Sequence, residues 1–137
     1  MKSDSLMTRL VFFIVALFSG TCGSIEIIDD DGHLIKLENP AERIISLAPS
    51  LTELMFAIGA GDKLKGVIEY SDFPLEAKSL PVIGRFDLLD VEKILELRPD
   101  LVIAWKGGSP KSSVEQLKKL GLTVYIAEPV SYTHLRA

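Results

Sequence analysis

The sequence predicts an α/β fold in which a mainly parallel sheet is flanked by helices and preceded by an N-terminal β-hairpin. After Pro40, short apolar runs alternate with segments of helical periodicity, which is the pattern of strand–helix–strand units. The run at residues 43–47 is almost continuously apolar, as expected of a strand covered on both faces. Asp31 and Gly32 separate two earlier apolar runs, and an Asp-Gly step there is a strong hairpin signal.

Residues 1–23 predict an export signal. A short cationic start with Lys2 and Arg9 precedes an apolar run over residues 10–18, and small or polar residues follow. This three-part pattern is typical of secretory signals. The run is too short for the roughly 20 residues that a membrane-spanning helix needs. A buried N-terminal helix is the alternative interpretation. We therefore expect a periplasmic or otherwise extracytoplasmic protein.

Cys22 follows the apolar run directly, at a position that resembles the lipidated cysteine of bacterial lipoprotein signals. Cys22 is thus a candidate lipid attachment site, and cleavage near Ser24 without lipidation is the alternative. A lipid at Cys22 is the only membrane attachment that we expect. Because the chain holds a single cysteine, an internal disulfide is excluded.

Residues 24–40 predict the N-terminal β-hairpin. Its strands are Ile25–Ile28 and Leu34–Leu37, and Asp29, Asp30 and Asp31 begin the turn between them. A solvent-exposed turn is the expected role of the three aspartates. Calcium binding is the alternative, but the spaced acidic ligands and the terminal glutamate of an EF-hand loop are missing.

Residues 41–129 predict a ligand-binding lobe of alternating strands and helices. Ser50 and Glu53, and again Ser112 and Glu115, have the spacing of capping boxes and predict two helix starts. Asp90 predicts a third by capping the helix that follows it. The predicted helices cover residues 50–58, 91–97 and 112–120, and the predicted strands cover residues 43–47, 64–68, 81–83, 101–104 and 123–127.

Three large aromatic residues follow successive predicted strands. Tyr70 comes after the second strand, Phe86 after the third and Trp105 after the fourth. Ligands of parallel sheets bind beyond the carboxyl ends of the strands, where the loops converge. Aromatic side chains there provide a large contact area at little conformational cost. Tyr70, Phe86 and Trp105 therefore predict a stacking surface for a broad, flat ligand, with ordinary core packing as the alternative for each.

Composition and residue placement exclude several other functions. The net charge of −4 is spread without basic runs, so nucleic acid is not an expected partner. His33 and His134 lie far apart in sequence, and neither pairs with a serine or cysteine in a catalytic pattern. We expect no catalytic residues, no metal site and no resident cofactor.

Residues 43–129 resemble the N-terminal lobe of the periplasmic binding proteins that deliver cobalamin, ferric siderophores and haem to ABC importers. The likeness rests on the stretches RIISLAPSLTE, LRPDLVI and LKKLGLTVYIAEP, and YSDFP followed by LVIAWKGG is closest to the cobalamin-binding members. The resemblance implies one lobe of a two-lobe protein without enzymatic activity. It implies capture of cobalamin or a similar planar chelate against Tyr70, Phe86 and Trp105. We expect a monomer.

The same resemblance implies that Glu92 docks onto the membrane subunits of the importer; a favourable interaction with the helix dipole is the alternative role of this residue. Ferric siderophores and haem remain alternative ligands, since the hairpin is more similar to that of their carriers. Anionic ferric chelates would require basic side chains in the cleft, and the candidates are Arg85, Lys106 and Lys111.

Two departures from the family pattern accompany the resemblance. Phe86 occupies a position where the cobalamin-binding members carry tryptophan. The family also requires a second lobe and a connecting helix, so we expect the sequence to be truncated. Residues 130–137, VSYTHLRA, are unlike the family, and His134 within them is expected to have no functional role.

Overall fold

The computed structural model describes residues 23–128. Eight strands and three α-helices make up this part of the chain, with 3₁₀ turns at Gly61–Lys63 and Leu75–Ser79. The strands are β1 (Ile25–Ile28), β2 (Leu34–Leu37), β3 (Ile44–Ser46), β4 (Leu64–Val67), β5 (Gly84–Arg85), β6 (Leu88–Leu89), β7 (Leu101–Trp105) and β8 (Val124–Ala127). The helices are α1 (Pro49–Ala57), α2 (Val91–Glu96) and α3 (Lys111–Lys119).

Four parallel strands form the central sheet, in the order β4-β3-β7-β8. The apolar runs of β3 and β7 lie in the middle, where Ile45 pairs with Val102 and both side chains are fully buried. Because all four strands run in the same direction, their carboxyl ends meet at one edge of the sheet. The predicted fold class, a mainly parallel sheet flanked by helices with an N-terminal hairpin, is confirmed.

Helices cover both faces of the sheet. Helix α1 packs Leu51 and Met55 against the face that carries Ile44. Helices α2 and α3 pack Ile94 and Leu117 against the opposite face. Neighbouring residues of a strand point to opposite faces, so Ile44 and Ile45 belong to different apolar clusters. The resulting core has three layers, helix, sheet and helix.

Three helix caps were predicted, and the structure differs from the prediction at two of them. Helix α1 begins at Pro49 with Ala48 as its N-cap, so Ser50 is not the cap. Helix α3 begins at Lys111 with Pro110 as its N-cap, so Ser112 is not the cap either. Pro49 is the first residue of α1, where its fixed φ and its missing N–H cost nothing, whereas Pro110 precedes α3 in an extended conformation. Both helices therefore begin ahead of the predicted serine. The Asp90 cap is confirmed, since its carboxylate accepts the Lys93 N–H at 3.1 Å.

The predicted third strand is reduced to a single bridge between Val82 and Val67. The chain instead turns into the antiparallel hairpin β5–β6, with Phe86 and Asp87 between its strands. No Asn-Gly or Asp-Gly step marks this turn, so the hairpin signal used for β1–β2 is absent here.

The β1–β2 hairpin has the predicted strands, but the prediction of a solvent-exposed turn is wrong for Asp29. The Asp29 side chain is buried, and its carboxylate accepts the backbone N–H groups of Asp31 at 3.0 Å, His33 at 2.7 Å and Ile126 at 3.3 Å. The Asp30 N–H donates in turn to the Ile126 carbonyl at 3.0 Å. The hairpin turn therefore lies against the open edge of β8 and satisfies its backbone groups.

Within residues 23–128, no helix is long and apolar enough to cross a membrane. Residues 1–22 of the predicted export signal, including the candidate lipid site Cys22, lie outside the described part of the chain, and so does the segment 130–137 with His134. The predicted division at residues 24–40 and 41–129 stays a prediction.

Candidate functional site

Two of the three aromatic residues that the sequence singled out lie at the carboxyl edge of the central sheet, and the third, Phe86, lies in the separate β5–β6 hairpin beside it. Tyr70 lies three residues beyond β4, Phe86 lies in the β5–β6 turn, and Trp105 is the last residue of β7. Their side chains are not packed into the core, since Tyr70 is 81%, Phe86 62% and Trp105 41% exposed. Core packing is therefore not what these rings provide.

Tyr70 and Phe86 line one shallow cavity of about 560 Å³. Its floor and sides also include Pro49 at the start of α1 and Ile68 just after β4. Glu69, Arg85 and Asp87 complete the lining. The arrangement gives two aromatic walls with polar groups around them, which suits a flat and largely apolar ligand.

Trp105 lines a different cavity, of about 470 Å³, together with Asp31 and His33 of the N-terminal hairpin. Strand β3 separates β7 from β4, so the ends of those two strands lie two strand spacings, or about 10 Å, apart. A ligand that contacts all three rings must therefore extend across the end of β3. Contact of one ligand with all three rings stays a prediction.

The Trp105 indole lies against the bare backbone of Gly107 and Gly108. A Cβ atom at Gly108 would overlap the six-membered ring, and one at Gly107 would lie 3.3 Å from the indole. The Ser109 side chain accepts the Trp105 backbone N–H at 3.0 Å, and the Trp105 carbonyl accepts the Ser109 N–H at 2.8 Å. The glycines thus make room for the ring, and the turn fixes its backbone.

Tyr70 has an unusual backbone conformation for a residue with a side chain, with φ of 66°. The left-handed region is costly for residues other than glycine and persists only where the surroundings enforce it. Glu69 donates its N–H to the Gly84 carbonyl at 2.9 Å, and Ser71 donates its own to the Ile68 carbonyl at 3.3 Å. These bonds hold both neighbours of Tyr70 and connect its loop to the β5–β6 hairpin that carries Phe86.

Two of the three cations that an anionic chelate would require are already paired. The Arg85 guanidinium nitrogen lies 3.1 Å from Asp87 Oδ2. Lys106 Nζ lies 3.5 Å from Glu128 Oε2 and 3.6 Å from Asp31 Oδ1. The negative charge of Glu128, with that of Asp31, raises the pKa of Lys106 above its ordinary value. In the described residues, Lys111 makes no ion pair. The site therefore offers little uncompensated positive charge.

Glu92 lies exposed in the first turn of α2, beside Leu95 and Glu96. These side chains and Arg98 line a shallow depression of about 550 Å³. Helix α2 follows directly after the β5–β6 hairpin and is tied to it through the Asp90 N–H, which donates to the Ile83 carbonyl at 2.9 Å. A carboxylate is thus presented on the surface, six residues after Phe86 along the chain.

In the part of the chain that the structure describes, no group of three His, Cys, Asp or Glu side chains is arranged to hold a metal ion. Several residues of the site were not found from the sequence, namely Pro49, Gly84, Gly107 and Gly108 in their supporting roles. Pro49 could have been found, because it follows β3 at the same carboxyl edge. The roles of the glycines could not have been predicted, because a glycine in a sequence does not indicate which group packs against it.

Comparison with known proteins gives consistent similarities. The family model described as "Periplasmic binding protein" matches residues 44–136. A vitamin B12-binding protein of Yersinia pestis (strain Pestoides F) is 47% identical over 95 residues, which is 69% of this chain and 33% of that protein. The chain spans about a third of the length of the curated relatives it matches.

Solved structures show the same likeness. The periplasmic vitamin B12 binding protein of Vibrio cholerae is 50% identical with a TM-score of 0.60, over 64% of this chain and 34% of the other. A periplasmic heme binding protein from Pseudomonas aeruginosa is 35% identical with a TM-score of 0.58, over 63% of this chain and 31% of the other.

Proposed function

Because the chain belongs to the periplasmic binding protein family, we propose that it is the N-terminal lobe of a carrier that captures cobalamin or a related corrinoid for an ABC importer. The resemblance indicated by the sequence motifs is confirmed at the level of the family, and this family implies an extracytoplasmic location. The proposed role is one of binding rather than catalysis, because the relatives are binding proteins. The ligand and its delivery are what we propose.

The observation that carries the proposal is the set of three exposed rings at and beside the carboxyl edge of the sheet. Singly exposed apolar residues are common, whereas exposed aromatic side chains that share one cavity, as Tyr70 and Phe86 do, mark a binding site. A corrin ring is broad and flat enough to be a candidate for spanning the cavity of Tyr70 and Phe86 and the neighbouring ring of Trp105. Phe86 supports stacking without the N–H donor that an indole would add at that position.

Ligand charge favours a corrinoid over an anionic ferric chelate. Asp87 compensates Arg85, and Asp31 and Glu128 compensate Lys106, so an anionic ligand would have to displace those ion pairs. The two relatives named for vitamin B12 are also more similar to this chain, at 47% and 50% identity, than the heme-binding one at 35%.

Haem is the second candidate ligand, because the N-terminal hairpin contributes Asp31 and His33 to the Trp105 cavity. The hairpin is the part of the sequence that is more similar to siderophore and haem carriers. Cobalamin and hemin can be compared by direct competition, and our proposal requires that cobalamin displace hemin rather than the reverse.

The fluorescence of Trp105 tests the ligand directly, because the chain holds one tryptophan and its indole is partly exposed at the site. Adding cyanocobalamin to the 137-residue chain is expected to quench this emission saturably, with heat release in a parallel calorimetric titration. Free N-acetyltryptophanamide in the same solutions controls for light absorbed by the ligand. Quenching identical to that of the free indole, without binding heat, would refute the corrinoid assignment.

Delivery is proposed to depend on Glu92, whose carboxylate would meet cationic side chains of the importer membrane subunits. Glu92→Arg is expected to weaken binding of the chain to the importer in nanodiscs at least tenfold, because like charges facing each other across an interface are costly. The cobalamin affinity is expected to stay unchanged.

Glu76→Arg is the matched control, since it makes the same charge reversal at an exposed glutamate of the 3₁₀ turn Leu75–Ser79. Surface plasmon resonance compares the two variants with the unaltered chain. Equal importer binding by all three proteins would remove Glu92 from the docking surface.

A further inference from the structure

Three buried hydroxyl groups from separate segments meet close to Tyr70. Ser46 ends β3, Thr52 lies in the first half of α1, and Ser71 directly follows Tyr70 in the loop after β4. All three side chains are buried in an otherwise apolar region. Buried hydroxyls are costly unless they form hydrogen bonds, so their partners determine the local structure.

Thr52 is the centre of this cluster. Its Oγ1 lies 3.0 Å from Ser46 Oγ, 3.3 Å from the Ala48 carbonyl oxygen and 3.4 Å from Ser71 Oγ, and Ser46 Oγ donates to the same carbonyl at 2.9 Å. A hydroxyl has one proton to donate and lone pairs to accept with, so Thr52 can serve both serines at once. Within residues 23–128, the Ser71 hydroxyl has Thr52 as its hydrogen-bond partner.

Tyr70 depends on its backbone for its orientation. The ring is largely exposed and gains little from packing, while φ of 66° places the residue in a conformation that a tyrosine does not adopt without enforcement. The preceding residue, Glu69, is fixed by its bond to Gly84. The following residue, Ser71, is fixed to the interior through Thr52. Removing that side-chain link would leave this flank of Tyr70 held only by the hydrogen bond from the Ser71 N–H to the Ile68 carbonyl, which we expect to open more often.

We infer that Thr52 is a positioning residue, which holds Tyr70 in the conformation that receives the ligand without touching the ligand itself. The inference rests on the proposed function, because Tyr70 must belong to the ligand site. If loss of the Thr52 hydroxyl lowers the population of the binding-competent Tyr70 conformer to about a tenth, the apparent affinity falls about tenfold. The lower affinity is expected to come from a lower apparent association rate, because the bound complex keeps its contacts and its dissociation rate.

The test compares Thr52→Val, which keeps the shape and loses the hydroxyl, with Thr52→Ser, which keeps the hydroxyl. Amide hydrogen exchange of the ligand-free chain is expected to show faster exchange of the Ser71 N–H in Thr52→Val, by about tenfold, and no change in Thr52→Ser. The Val102 N–H, which donates to the Thr123 carbonyl within the core, provides the internal reference for global unfolding. Val124→Ala in β8, at the opposite edge of the sheet from β4, controls for general core destabilisation.

Binding kinetics with cyanocobalamin provide the second measurement. Thr52→Val is expected to lower the apparent association rate about tenfold with an unchanged dissociation rate, whereas Tyr70→Ala raises the dissociation rate because a contact itself is lost. Thr52→Ser should restore the association rate of the unaltered chain. Val124→Ala should change neither rate.

Two outcomes would overturn the inference. One is Ser71 exchange in Thr52→Val that is no faster than in Val124→Ala. The other is a raised dissociation rate in Thr52→Val, which would give Thr52 a contact role instead. If the unaltered chain does not bind cyanocobalamin, the proposed ligand fails, and the exchange of the Ser71 N–H still decides whether Thr52 positions Tyr70.

Discussion

Replacing Gly84 with alanine is expected to lower the free energy of unfolding by about 3 kcal/mol and to abolish cobalamin binding. Gly84 has φ of 123°, a region that is essentially restricted to glycine. A Cβ atom there would overlap the Leu88 carbonyl oxygen and lie 2.9 Å from the Leu89 Cα. Both contacts are with backbone, which cannot move aside, so the β5–β6 hairpin that carries Phe86 must open.

Opening that hairpin also affects Tyr70, because the Gly84 carbonyl accepts the Glu69 N–H. Urea unfolding followed by circular dichroism measures the stability change. Gly121→Ala is the matched control, since Gly121 has φ of 85° but no atom within 4 Å of an added Cβ. Gly121→Ala is expected to lower the free energy of unfolding by about 1–2 kcal/mol, which is the cost of a left-handed conformation alone. Equal losses in the two variants would contradict the steric explanation.

Replacing Asp29 with alanine is expected to lower the free energy of unfolding by about 3 kcal/mol, because three backbone N–H groups lose a charged acceptor. One of them belongs to Ile126 in β8, so the contact between the hairpin and the β8 edge weakens and depends on the bond from the Asp30 N–H to the Ile126 carbonyl. Asp29→Asn keeps one oxygen for the Asp31 and His33 N–H groups but turns an NH₂ toward Ile126, so an intermediate loss is expected.

The contribution of the Asp29 carboxylate to the free energy of unfolding depends on pH. Burial alone would raise the pKa of Asp29, but the N–H groups of His33, Ile126 and Asp31 outweigh it and hold the pKa below the ordinary value of 3.8. Because the folded pKa is lowered, the stabilisation is present above about pH 4 and is lost as the pH falls through the folded pKa.

Urea unfolding at pH 7, 5 and 3 measures this dependence. The difference in the free energy of unfolding between the unaltered chain and Asp29→Ala is expected to narrow from pH 5 to pH 3. Asp62→Ala, at an exposed aspartate in the 3₁₀ turn Gly61–Lys63, is the control and should change stability by well under 1 kcal/mol. A gap that widens on acidification would contradict the assigned role of the Asp29 carboxylate.

Local patterns in the sequence were sufficient for much of the fold. The β1–β2 hairpin has the predicted bounds, and the parallel strands lie within about two residues of their predicted positions, because apolar runs and turn residues act locally. The predicted caps at Ser50 and Ser112 were wrong because the helices begin earlier, at Pro49 and at Lys111. The prediction of an exposed Asp29 was wrong for a different reason, since its hydrogen-bond partner Ile126 lies 97 residues away along the chain.

The candidate site was predicted in part for the same reasons. The strand-end rule identified Tyr70, Phe86 and Trp105, and all three are exposed, but Phe86 lies in the β5–β6 turn rather than after a strand of the central sheet. Their lateral arrangement depends on strand order, which local patterns do not specify, and β3 between β4 and β7 places Trp105 in a separate cavity. The support of Trp105 by Gly107 and Gly108, and the cluster centred on Thr52, likewise depend on packing between segments.

The central claim is that these rings together bind a corrinoid, and the Trp105 emission titration tests it most directly when it is repeated on ring variants. Tyr70→Ala and Phe86→Ala are each expected to weaken cyanocobalamin binding about tenfold, as the loss of an aromatic contact does. Phe73→Ala removes an equally exposed ring outside the cavity and should leave binding unchanged. Unchanged binding in both site variants, or an equal loss in Phe73→Ala, would contradict the account.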